Sequence, residues 1–134
     1  MPFELKQSEA RALGAYFAGR EGEVLACVRA LVETESPSGD VVGNAGVVSL
    51  LAEAARHLGV ETEVTLESDE RYGAHLLIRA SAGLPDDAPT TLILGHTDTV
   101  HPRGSIEMRP WREEEGRVYA PGIFDMKANC ALAL

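Results

Sequence analysis

The chain is poor in cysteine and in positive charge, and it lacks any long apolar run. Two cysteines in 134 residues, Cys27 and Cys130, exclude a disulfide framework, and no CxxC pair offers a structural zinc site. Lys and Arg number 12 against 21 Asp and Glu, a formal net charge of −9. Nucleic-acid binding needs basic surface to displace counterions, and so does docking on an anionic membrane, so both partner classes are disfavoured. The N-terminal stretch MPFELKQSEARALG contains acidic residues and no apolar core of signal-peptide length, and no segment reads as a membrane span. A reducing cytoplasm is the expected compartment. There is no GxSxG nucleophile elbow, no internal repeat and no low-complexity tract. The acidic clusters at Glu67–Glu70, Asp86-Asp87 and Glu113–Glu115 read as solvated loops.

What is present is one domain's length of chain with 45% hydrophobic residues. Residues 8–19 suggest a short, weak helix carrying Leu13 and Phe17. Val24, Leu25, Val28, Leu31 and Val32 recur at helical spacing over 21–34, with Cys27 as a small core residue. SPSGD at 36–40 makes a turn, and Asp40 can cap the following helix. That helix runs to about Leu58 with Val47, Val48, Leu51, Ala54, Ala55 and Leu58 on one side, and Gly59 ends it. Val60–Leu66 alternates as a half-exposed strand, and Ala74–Ala80 reads as a second. Residues 81–90 form a loop. Thr91–Leu94, apolar throughout its Leu-Ile-Leu core, reads as a central strand covered on both faces. RVYA at 117–120 is a short strand, and DMKANCALAL at 125–134 starts a helix. This order suggests an α/β fold. The apolar helical pattern reaches Leu134 without a cap, so the chain reads as an interrupted domain.

The stretch LILGHTDTVHPRG, 92–104, carries the chemistry. Ligand sites in α/β folds lie past the carboxyl ends of central strands, where His96 sits. Residues two apart in extended chain face the same way, so His96 and Asp98 can address one site with Thr97 turned away. An imidazole beside a carboxylate serves a metal, with the carboxylate orienting the ring, or it serves a nucleophile. The plainer reading is a polar loop. Ser105 and Cys130, the available nucleophiles, have no motif around them. A second stretch, YAPGIFDMKANC at 119–130, places Asp125 in a turn entering a helix; its plainer reading is a cap with Lys127 in solvent.

GHTDTV at 95–100 together with PGIFDMK at 121–127 resembles the M20 family of zinc metallopeptidases, nearest to its glutamate carboxypeptidase branch. SPSGD occupies the place of a similar turn in that family. The resemblance covers residues 21 to 134. It implies a three-layer α/β sandwich with a mixed, largely parallel sheet, of the zinc-exopeptidase kind and incomplete in this chain. Residues 1–134 would be the N-terminal portion of the catalytic domain, with the lid domain and second half absent. It further implies two Zn2+ per complete site, with Co2+ or Mn2+ as substitutes. His96 would bind one metal, Asp125 would bridge both, and Asp98 would hold His96. The Asp125–Met126 peptide would be cis. One bridging carboxylate suits two ions about 3.5–4 Å apart. Where the family commonly has glycines after DMK, this chain has Ala128-Asn129. The family's general-base Glu, two further acidic ligands and a last His lie beyond the residues present, and Glu113–Glu115 cannot replace them. His57, His75 and His101 read as structural or solvated.

The implied activity is metal-dependent hydrolysis of an amide bond next to a free carboxylate, in a small peptide ending in glutamate or an N-acyl amino acid. A deacylase or desuccinylase of the same family is the nearest alternative. The competing class is a non-catalytic fragment that needs a complementing C-terminal segment or associates with copies of itself.

Overall fold

The computed structural model describes residues 6–59, 62–80, 85 and 87–134. Val60 and Glu61 of the expected strand, Asp86 of the acidic loop and much of the 81–90 loop lie outside the described residues, as does the start of the N-terminal stretch.

The first helix, α1, spans Gln7–Ala18, and the Glu9 carboxylate accepts the Lys6 N–H at its start. It has an apolar side but buries none of it: Leu13, Tyr16 and Phe17 stay about half exposed. The core begins with α2, Glu21–Glu33, which buries Val28, Leu31 and Val32 and half-buries Val24 and Cys27 at helical spacing. Burial pushes the Cys27 thiol pKa up. Helix α3, Val41–Arg56, starts where Asp40 caps it, the carboxylate accepting the Gly43 N–H at 2.9 Å. Its buried face is Val47, Val48, Leu51, Ala52 and Ala55; Ala54 and Leu58 are half-buried. Gly43 is required by close approach, since a Cβ there would lie 2.3 Å from the Glu35 carbonyl oxygen. Gly59, just past the helix end, has φ 70°.

Strands β1, Thr62–Asp69, and β2, Gly73–Ala80, form an antiparallel hairpin in register from Thr62↔Ala80 to Asp69↔Gly73. Its turn is held by Asp69, whose carboxylate accepts the Arg71 and Tyr72 N–H groups. Ala74, Leu76 and Ile78 alternate with exposed His75, Leu77 and Arg79, and β2 packs on α3. A short helix, α4, covers Ser105–Met108. A second antiparallel hairpin follows, β3 Arg112–Glu114 with β4 Arg117–Tyr119, turning at Glu115 (φ 52°) and Gly116 (φ 72°). Glu113, Glu114 and Glu115 are exposed on it, as expected.

Three expectations fail. The sheets are two separate antiparallel pairs, not a largely parallel sheet between helix layers; a lone parallel bridge joins Pro37 and Thr99. Thr91–Leu94 is not a paired strand, and Leu92, Ile93 and Leu94 are 72%, 67% and 78% exposed. An apolar run becomes a central strand only where other strands flank it, and this run pairs with neither hairpin. The helix expected from Asp125 begins instead as a turn over Ile123–Lys127, with Asp125 and Met126 outside helical angles, and becomes α5 at Ala128–Leu132. The core thus sits between α2, α3 and α5: Val28, Leu31, Val32, Val47, Leu51 and Ala131. Complete burial of Leu31 is worth about 1.5–3 kcal/mol.

Candidate functional site

The link between α2 and α3 holds the His96 loop. The Thr99 N–H donates to the Ser36 carbonyl at 2.9 Å, and the Ser38 N–H donates to the Thr99 carbonyl at 3.0 Å. The Ser36 hydroxyl, fully buried, donates to the Thr97 carbonyl at 2.6 Å. From α3, the Asn44 side-chain amide donates to Thr97 Oγ1 at 2.7 Å, and its oxygen accepts the Ala74 N–H of β2 at 2.6 Å. Thr97 therefore faces α3, while His96 and Asp98 share the opposite side.

The His96 ring is held at both nitrogens. Nε2 lies 3.0 Å from Asp125 Oδ1. Nδ1 lies 3.1 Å from the Asp98 carbonyl oxygen and 3.2 Å from Asp98 Oδ1. The Ser38 hydroxyl donates to the other oxygen of that carboxylate, Oδ2. Partial burial pulls the imidazole pKa down, but the Asp125 hydrogen bond and the Asp98 carbonyl outweigh it, leaving the ring above its ordinary value. The His96 backbone is fixed from the α5 side: its N–H donates to Met126 Sδ at 3.4 Å, and the Cys130 thiol donates to its carbonyl at 3.3 Å. Gly95 permits this contact, since a Cβ there would meet Met126 Cε at 3.2 Å. The Asp125–Met126 peptide bond is cis.

Lys127 is not in solvent as its plainer reading expected. It is 1% exposed, and Nζ donates to the Thr34 carbonyl at 2.7 Å. Burial pulls its pKa down to about 8, against the opposing charge of Glu35. The apolar helical stretch that carries it draws the whole residue inward, and the carbonyl gives its ammonium a partner. Glu35 in turn accepts the Gly104 N–H at 2.7 Å and the Ile106 N–H at 3.0 Å. The Gly104 bond holds its carboxyl below the ordinary value despite some burial. Sequence reasoning missed Asn44, Ser36, Ser38, Glu35 and the inward turn of Lys127. Only the lysine carried a signal, as a lone cation in an apolar helical pattern.

The other candidates stay apart. The Ser105 hydroxyl is committed to the Pro102 carbonyl, and Cys130 touches the His96 backbone rather than its ring. The His57 ring bonds the Glu53 carbonyl, His75 is exposed on β2, and His101 lies 3.1 Å from Arg109 Nη2. Among the described residues, no three His, Cys, Asp or Glu side chains converge in a metal-holding arrangement. His96 Nε2 and Asp125 are donors of the right chemistry for zinc, an imidazole and a hard carboxylate, but a catalytic zinc takes three protein ligands. An open groove of about 740 Å³ reaches Phe124, the residue before Asp125, and is lined in part by His101, Arg109, Trp111 and Tyr119, but neither His96 nor Asp125 lines it. No helix among the described residues is long and apolar enough to cross a membrane.

No family profile matches the chain. It is 27% identical over 113 residues to carboxypeptidase G2 of Pseudomonas sp. (strain RS-16), an alignment covering 83% of this chain and 26% of that protein. The chain spans about a quarter of that relative's length. The match supports a peptidase relationship.

Proposed function

We propose that this chain contributes His96 and Asp125 to the two-metal centre of an M20-type hydrolase that cleaves an amide bond beside a free carboxylate. The observation that carries the reading is the His96 Nε2–Asp125 Oδ1 approach of 3.0 Å, made between two loops whose sequences each carry half of the family's motif. The carboxypeptidase relative supports peptidase-like hydrolysis, and the substrate class proposed with it is a peptide ending in glutamate or an N-acyl amino acid.

The chain's own residues would act as follows. The Nε2–H donates to Asp125 while no ion is bound; with zinc in place and the proton kept on Nδ1, His96 would donate to Asp98 and offer its Nε2 lone pair to the ion beside Asp125. Ser38 donates to the far oxygen of Asp98 and keeps that carboxylate from swinging to the metal side. Asp125, 77% exposed at its side chain, would offer its carboxylate oxygens to the metals. Zinc held there would supply the Lewis acidity that activates water and polarises the scissile carbonyl. The general base and the remaining ligands must come from residues other than these.

The test is a Co2+ titration of the purified chain followed by visible absorption, with His96→Ala and Asp125→Asn beside it. Weak binding, lost in both variants, is the expected result. Absorption unchanged in either variant refutes the ligand assignment. With two ligands and no base, residues 1–134 alone should not hydrolyse N-acyl glutamates; metal-dependent turnover lost in His96→Ala would overturn that ligand count.

The exposed Leu92-Ile93-Leu94 run favours a second reading, in which the chain is non-catalytic until a complementing segment or a second copy covers that run. A monodisperse monomer by light scattering would count against self-association.

A further inference from the structure

His96 and Asp125 are 29 residues apart, and neither lies in a paired strand. The loops touch directly through Met126 and Cys130 on the His96 backbone, and a third segment bears on both. The segment Thr34–Ser38 touches both. Toward the His96 loop it makes five bonds: Ser36 Oγ to the Thr97 carbonyl, Thr99 N–H to the Ser36 carbonyl, Ser38 N–H to the Thr99 carbonyl, and the Ser38 hydroxyl to Asp98 Oδ2 and, at 3.4 Å, to the Thr99 carbonyl. Toward the Asp125 loop it offers the Thr34 carbonyl to the Lys127 ammonium.

We propose that Thr34–Ser38 and the buried Lys127 ammonium form one strap that sets the spacing of His96 and Asp125. Lys127 and Ser36 are then positioning residues of the proposed centre, which neither touches; their importance to hydrolysis rests on that reading, while the strap is a matter of geometry alone.

Chemistry explains why a lysine stands there. Thr34 is the cap at the C-terminal end of α2, where helix carbonyls lack partners and the helix dipole favours a cation. An ammonium on a long stem reaches that carbonyl from a residue two positions past Asp125 while its methylenes pass through the core. Burying a charge is costly, so Lys127 is a poor choice for stability alone. It gains direction: the ammonium donates to the Thr34 carbonyl, and its backbone is thereby tied to the end of α2. Leucine would fill similar space without a donor and cut the Asp125 loop's tie to the end of α2, leaving it its contacts with the His96 loop.

Proximity of the loops can be read without any metal. Met126 accepts the His96 N–H through Sδ, and its ε-methyl lies against Gly95. In the chain carrying 13C-methyl methionine, nuclear Overhauser cross-peaks should link the Met126 methyl to the Gly95 α-protons and the His96 amide. Lys127→Leu should lose these cross-peaks while those among Val28, Leu31 and Val47 persist. A residue with a merely structural role would lower stability and leave the cross-peaks of the folded fraction unchanged. Should Lys127→Leu lose the core cross-peaks as well, Ser36→Ala, which removes one hydroxyl at the other end of the strap, decides by the same criterion. Retention of the Met126–Gly95 and Met126–His96 cross-peaks in a variant with an intact core overturns the proposal. A wild-type chain that shows the cross-peaks but no Co2+ absorption refutes the ligand reading, and the cross-peaks still decide the strap.

Discussion

Replacing Asn44 by alanine cuts the bridge that ties the His96 loop to α3 and to β2. Two bonds go, one at 2.7 Å to the Thr97 hydroxyl and one at 2.6 Å from the Ala74 N–H. The losses differ in kind. Thr97 is half-buried and its hydroxyl can rotate toward water, so that bond costs its net worth of about 0.5–1.5 kcal/mol. The Ala74 N–H points from β2 at α3 and has a fixed direction; left without a partner, it costs about 1–3 kcal/mol. Alanine returns roughly 0.5 kcal/mol through better helix propensity in the first turn of α3. The sum is a destabilisation of about 1–4 kcal/mol, centred near 2.5. Urea unfolding followed by circular dichroism should show the midpoint falling by about 1 M at an ordinary slope. The Thr97→Val single and the double variant complete a cycle, and a coupling of at least about 0.5 kcal/mol is expected for directly bonded partners. A loss below about 0.5 kcal/mol, or strict additivity with Thr97→Val, would refute the assignment of Asn44 as the anchor of this loop.

Three further outcomes follow from the same geometry. Asp98→Ala should weaken Co2+ binding by roughly 10–100-fold, the usual loss when the partner of a ligating histidine is removed, and unchanged affinity would deny Asp98 that role. The Glu35 carboxyl has its folded pKa below the ordinary 4.5, so the unfolded chain takes up its proton first; the stability it contributes is present above about pH 4.5 and fades as pH falls through the lower folded value. Acid titration of unfolding should show that limb in the wild type and a flatter one in Glu35→Gln, and identical acid limbs would mean the Gly104 and Ile106 bonds add nothing. Gly122→Ala should destabilise the turn before Asp125, because Gly122 has φ 72° and a Cβ would lie 2.4 Å from Thr99 Cγ2; thermal unfolding at the wild-type midpoint would contradict the close approach.

Local features were legible in the sequence because their causes are local. The Asp40 cap, the buried faces of α2 and α3, the strands β1 and β2 and the exposed glutamates of β3 each follow from residues within a few positions of one another. The facing of His96 and Asp98 followed from two-residue alternation, and Asp125 joined them only through the paired motifs. The Leu92–Leu94 run was misread because apolar composition states what a strand needs, not whether strands are there to supply it. Asn44, Ser36 and Ser38 gave no signal: a small polar residue near a helix start looks the same whether it bonds its own turn or a loop over 50 positions away. Lys127 was misjudged because charge outweighed the apolar pattern around it, though the pattern decided its burial.

The contacts that build the site span long stretches of chain, 61 residues between Ser36 and Thr97 and 29 between His96 and Asp125. The β1–β2 turn closes between Asp69 and Gly73. Each doubling of a loop adds about 0.6 kcal/mol of closure entropy, so during folding the helices and hairpins can form while His96 and Asp125 are still apart. The site is therefore a late product of assembly and an early casualty of partial opening. A ligand that needs both side chains finds them together only in the finished arrangement, so it acts as a clasp on the last step and stabilises the native state without speeding the first ones.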